Sequence, residues 1–127
     1  LEADPEFVLR HGFTYSGHPI ACAAGLENID IIEREGLIDR VPVIADAFAT
    51  GLGPLVGTAH VDEVRGRGGM WALGLAAGTS EADVVAGLLA NGVIARSLPG
   101  TVTFCPPLVI TDDELDRVIE VVRSVAG

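Results

Sequence analysis

The chain has 127 residues, of which 49% are apolar, 20% charged and 5% aromatic, a size suited to one compact domain with its own core. Acidic residues outnumber basic ones 18 to 8, the formal net charge is −10, and every basic residue is Arg. The lack of any lysine excludes from this chain each chemistry that needs a lysine amine, including Schiff bases and P-loop phosphate cradles. The eight arginines are scattered, so there is no basic stripe to neutralise nucleic-acid phosphates. No apolar run approaches the roughly 20 residues of a membrane span, and the opening Leu1, Glu2, Ala3, Asp4 has the wrong charge for a signal peptide. A cytoplasmic protein is expected. Cys22 and Cys105 stand alone in apolar stretches and are expected to be small buried hydrophobes. With Leu1 rather than Met at the start, the chain is expected to be a piece of a longer protein.

Residues up to about Tyr15 show little periodicity. A helix is predicted from Pro19 to Glu35, capped by Ser16 or Gly17 and stopped by Gly36. A second is predicted from Asp39 to Leu55, where Val41, Ile44, Phe48 and Leu52 recur at helical spacing and Pro42 falls in the first turn. Residues 61–76 carry two strands broken by Gly66, Gly68 and Gly69, which predicts a bent or bulged hairpin with its glycines in a tight turn. A short helix between Ser80 and Asn91 should face the core with Val84, Val85, Leu88 and Leu89. Strands at Val93–Ser97 and Thr101–Cys105 flank a Pro99–Gly100 turn. In the last helix Thr111 and Glu114 spell a capping box, and Leu115, Val118, Ile119, Val122 and Val125 form one stripe. This order predicts an α+β fold: a small antiparallel sheet with helices on one face, preceded by a long linking helix.

Most site patterns fail on inspection. Gly66, Gly68 and Trp71 have dinucleotide-loop spacing but lead into a strand, His11, His18 and His60 lack metal-ligand spacing, and Ser16 has Thr14 where a nucleophile elbow needs glycine. No metal site is expected. The segment from His11 to Pro19 is different. Two glycines, two hydroxyls and a helix N-terminus bring together free N–H groups and a positive dipole end, the ingredients of a phosphate site.

The stretch HGFTYSGHPIACAAGLENIDIIEREGL, followed in order by VRGRGGMWALGLA, GVIARSLPGTVTFCPPLVIT and DDELDRVIEVV, resembles the C-terminal part of the class III aminotransferases, pyridoxal-phosphate enzymes of fold type I. The TYSGHP wording is most similar to the ω-amino acid:pyruvate transaminase branch. The resemblance implies an α/β parent enzyme and a homodimer. In it Thr14 would donate its hydroxyl to the cofactor phosphate of the partner subunit, with Gly12 and Phe13 shaping the approach. It also implies that Arg96 grips the substrate carboxylate, a task suited to a guanidinium fork that never deprotonates. No role follows for Arg65, Arg67 or Trp71. The family's Schiff-base lysine lies upstream of TYSGHP and is not in this chain, so the chain alone is expected to be inactive. Residues 1–18 would then end a large pyridoxal-phosphate-binding domain, and 19–127 would supply the linking helix and the small domain. The competing expectation is a stand-alone, non-catalytic binding or assembly module with the same small-domain fold. A related aminomutase or diamine transaminase would differ only in substrate.

Overall fold

A computed structural model describes residues 12–127; the first eleven, with His11 of the loop motif and most of the aperiodic opening segment, lie outside the described residues. The chain divides into two compact units, one running to Glu35 and one from Gly36 to Gly127. The predicted linking helix belongs to the first.

In the first unit, α1 spans Pro19–Arg34. Proline suits its first turn, where an amide hydrogen would lack a partner anyway. Its N-cap is His18, with no side-chain cap hydrogen bond, rather than Ser16 or Gly17. Those two residues are taken up by a turn in which Ser16 N–H donates to the Phe13 carbonyl (2.9 Å) and His18 N–H to that of Tyr15 (3.2 Å). Gly17 has φ +78°, outside the extended region an N-cap adopts. No residue of α1 is buried. Cys22, expected to be buried, is therefore exposed.

The second unit begins with Gly36 at φ +61°, the left-handed conformation that ends a helix. A 3-10 turn at Leu37–Asp39 leads into α2, Arg40–Leu52, and another at Gly53–Leu55 leads out. The strands are β1 (Val61–Arg67) and β2 (Met70–Leu75), then, after α3 (Glu81–Ala90), β3 (Arg96–Leu98) and β4 (Thr101–Phe104); α4 is Asp112–Ala126. All pairings are antiparallel and the sheet order is β1-β2-β4-β3. The predicted bulge lies between Val61 and Glu63. It lets Val61 and Val64, three apart, both contribute to the core, which strict alternation would forbid.

The core lies between the sheet and α2, α3 and α4. Ile44, Phe48 and Leu52 meet Val61, Leu73, Val102 and Phe104 of the sheet, Leu88 of α3, and Leu115, Ile119 and Val122 of α4. Phe48 sits beside both Trp71 and Phe104, with ring centroids 6.1 and 6.2 Å apart. The α4 capping box forms as predicted. Arg40 clamps the starts of α2 and α4, donating to the Ile110 carbonyl (3.0 Å) and to Asp112 (2.8 Å).

The helix predicted to run to Leu55 ends at Leu52, and the start of β3 and the buried face of α3 also differ from expectation. Val93–Ala95 is not strand, because Val93 N–H donates back to the Leu88 carbonyl (2.9 Å) and Gly92 N–H to that of Leu89 (3.0 Å). With Gly92 at φ +83° this is a Schellman closure of α3, and it uses the amide a strand would need. Leu89 is 60% exposed rather than core-facing.

Candidate functional site

The first candidate feature is the loop before α1. Gly12 has φ +146°, a conformation that costs glycine little and other residues more. Phe13 and Tyr15 are 88% and 82% exposed, and Thr14 between them is also exposed with its hydroxyl available. Because His18 offers no side-chain cap, the first amides of α1 keep their donors free of side-chain partners. An exposed hydroxyl at Thr14 thus precedes by a few residues the uncapped positive end of a four-turn helix, the kinds of group a phosphate site uses. The Cβ of a residue replacing Gly12 would meet nothing within 4 Å, so glycine there serves the backbone conformation rather than space.

The second feature is Arg96, the first residue of β3, in the other unit. It is exposed and pairs across the sheet with Thr103, whose hydroxyl donates to the Arg96 carbonyl (3.1 Å). Glu81, at the first turn of α3, accepts the Gly100 N–H in the β3–β4 turn and so ties that hairpin to a helix. This Gly100 hydrogen bond, with one from the Glu81 backbone, holds the Glu81 carboxyl below the usual carboxylate range. Arg96 thus projects from a strand anchored at its turn.

Arg96 lines a depression of about 570 Å³ together with Arg65, Arg67, Met70, Leu98 and Thr103. Cys105 lines it too and is exposed, contrary to the expectation of burial. The strand alternation that turns Val102 and Phe104 into the core turns Cys105 outward. Sequence reasoning assigned nothing to Arg65 and Arg67. The signal that finds them is register, since Arg65, Ala72, Thr103 and Arg96 form one row across all four strands. Arg65 is committed to Glu63 (2.5 Å) and to Thr101 (3.4 Å). Among the described residues neither Arg67 nor Arg96 has an ion-pair partner. No group of three or more His, Cys, Asp or Glu there could hold a metal ion, and no helix there is long and apolar enough to cross a membrane.

Comparison with known proteins places the chain in a family. The family model Aminotransferase class-III matches residues 3–125. An omega-aminotransferase of Caulobacter vibrioides is 32% identical, the match covering 98% of this chain and 30% of that protein. A beta-alanine–pyruvate aminotransferase of Pseudomonas aeruginosa is 35% identical over 95% of this chain and 29% of its own length. Among solved structures, the omega transaminase of Pseudomonas jessenii in complex with PMP superposes with a TM-score of 0.82 at 33% identity, covering 94% of this chain and 28% of that one. The chain therefore spans under a third of the length of these relatives.

Proposed function

Because the chain belongs to the class III aminotransferases, we propose that it is the C-terminal part of a pyridoxal-phosphate-dependent transaminase that moves an amino group between an ω-amino acid or amine and a keto acid such as pyruvate. The observation that carries this reading is Arg96, an exposed guanidinium on an anchored hairpin within a fold whose omega-transaminase likeness extends over 94% of the chain. In the parent enzyme residues 1–18 end the large cofactor-binding domain and 19–127 form the linking helix and small domain.

The residues present fit one end of the cofactor. The Thr14 hydroxyl and the free α1 amides suit its phosphate, contributed across a homodimer interface, with Gly12 and Phe13 shaping the approach. They do not supply its covalent anchor, since the chain has no lysine. When bound, the cofactor provides the electron sink that amino-group transfer requires. Arg96 orients the substrate by holding its carboxylate in two parallel charge-assisted hydrogen bonds. Its place beside the Pro99–Gly100 turn lets it swing aside for an amine that lacks a carboxylate. A cytoplasmic setting agrees with this chemistry.

The experiment is made on the dimeric enzyme that joins this chain to the lysine-bearing portion encoded upstream. Arg96→Ala should lower kcat/KM for a carboxylate-bearing ω-amino acid by about a hundredfold, the loss of a bidentate charged contact, and leave a carboxylate-free amine within a few-fold. Equal losses on both donors would refute the assignment. A coding sequence with no lysine-bearing domain upstream would instead favour the stand-alone, non-catalytic module.

A further inference from the structure

The two arms of the β3–β4 hairpin are held very differently. Thr101, Val102 and Phe104 of β4 are buried, whereas all three residues of β3 are exposed, so β3 contributes nothing to the core. It rests on the ladder to β4 and on the Thr103 hydroxyl, which donates to the Arg96 carbonyl (3.1 Å). Upstream, Val93 is buried and pins the chain, so the end left to be fixed is the turn. Leu98 faces Thr101, which makes Pro99 and Gly100 its two central residues. Proline cannot take the positive φ of the mirror-image turns that match strand twist, and with Gly100 at φ +67° the pattern is type II, which splays the strands it joins. Such a turn calls for support from outside. On the sheet side, Leu75 N–H donates to the Gly100 carbonyl (2.9 Å) and Arg65 to the Thr101 hydroxyl (3.4 Å), both holding the start of β4. On the helix side the tie is Glu81, which accepts the Gly100 N–H. Glu81, Ala82, Ser97, Leu98 and Pro99 line a depression of about 350 Å³, so the start of α3 and β3 are joined there by a hydrogen bond rather than by packed side chains.

We propose that Glu81 is a positioning residue for the choice of amino donor: by holding the turn it fixes the backbone of Arg96, so that the guanidinium meets or leaves a carboxylate by side-chain rotation alone. The proposal rests on the reading of Arg96 as a carboxylate clamp and assigns the group that keeps the clamp in place. A two-pronged contact demands alignment, and a small displacement of its backbone forfeits much of its value. An acidic residue in the first turn of a helix commonly serves only to complement the dipole. Asp83 meets that need in the same turn, and Ser80 caps the helix by accepting the Asp83 N–H (3.2 Å). Neither purpose requires the Glu81 carboxylate to reach an amide nineteen residues along the chain. Val84 and Leu88 seat α3 in the core, so the tie ends on a fixed element. The Gly100 N–H is also the first cause of the lowered Glu81 pKa, which makes the charged carboxylate the form that holds the turn.

Two measurements test this role. In the 127-residue chain, amide hydrogen exchange of Gly100 should quicken about tenfold in Glu81→Ala and stay within about threefold of the original in Glu81→Gln, which keeps an acceptor oxygen. It should not change in Asp83→Asn, which removes a charge from the same helix end without touching the turn. In the dimeric enzyme, Glu81→Ala should lower kcat/KM about tenfold for a carboxylate-bearing ω-amino acid and less than about twofold for a carboxylate-free amine. Glu81→Gln should recover most of that loss, and Asp83→Asn should show none. In an Arg96→Ala background, Glu81→Ala should be silent on both donors, because a positioner has no effect once the group it positions is gone. The role is overturned if Gly100 exchange is indifferent to Glu81, if Glu81→Ala affects both donors alike, or if its effect persists without Arg96. Equal losses on both donors in Arg96→Ala alone would remove the clamp, and the positioner with it, while Gly100 exchange would still show whether the tie exists.

Discussion

Gly66 shows how a single missing side chain can organise the sheet. A Cβ at this position would lie 2.3 Å from Cδ2 of Trp71 and 2.7 Å from the Met70 carbonyl oxygen. The indole cannot retreat easily, because its Nε1–H donates to the Gly68 carbonyl (2.8 Å) and its ring packs beside Phe48. The sequence places three glycines here and suggests one tight turn. Gly68, at φ +58°, answers to that description, whereas Gly66 is a strand residue that makes room for its cross-strand neighbour. Gly66→Ala should therefore destabilise the second unit by about 2 kcal/mol, the usual cost of overpacking, seen as a lower denaturant midpoint at unchanged slope. An unchanged midpoint would mean that Trp71 is free to move. The same alternation explains Cys105: a thiol in an apolar stretch looks buried until Val102 and Phe104 are known to face inward.

At the level of elements, the start of α4 and the end of α3 are well encoded, whereas the cap of α1, the end of α2 and the start of β3 are not. In α4 the Thr111 hydroxyl accepts the Glu114 N–H (3.2 Å), and the Glu114 carboxylate accepts the Thr111 N–H (2.9 Å) and hydroxyl (3.0 Å). Those bonds, the backbone one first, hold the Glu114 carboxyl below its ordinary value, as the Gly100 N–H does for Glu81. A carboxylate whose pKa is depressed on folding contributes stability that is complete above its unfolded value and disappears as pH falls through the folded one. Stability should thus decline as pH drops from 4.5 downward. The double variant Glu81→Gln, Glu114→Gln should show a shallower decline, read by thermal unfolding at a series of pH values. Thr111→Ala should cost about 1 kcal/mol at neutral pH, as loss of an N-cap does. These ends are legible because a cap is a local motif of four residues. The beginning of β3 was not, because Val93 can serve a ladder or a helix closure, and the closure at Gly92 takes precedence.

At the scale of the whole chain, the sequence resemblance singles out Thr14 and Arg96, and the structure leaves both side chains exposed. No role follows for Arg67 from the sequence, since its place opposite Met70 on the sheet exists only once register is known. The two units also differ in how they are stabilised. Every residue of the core cluster lies between Ile44 and Ala126, while α1 has no fully buried residue and leaves Ile20, Leu26 and Ile29 at 75%, 66% and 52% exposure. An apolar helix face of that kind calls for a covering surface. Without it, the 127-residue chain should self-associate, and added salt should strengthen the association by screening the net charge of −10. Residues 36–127 alone should keep the same thermal midpoint within a few degrees, because no core residue is removed, and should sediment as a monomer. Sedimentation velocity over a concentration series reads both species. Loss of cooperative unfolding in the shorter chain would show that α1 supports the core after all, and a monomeric full-length chain at high salt would show that its exposed face needs no partner.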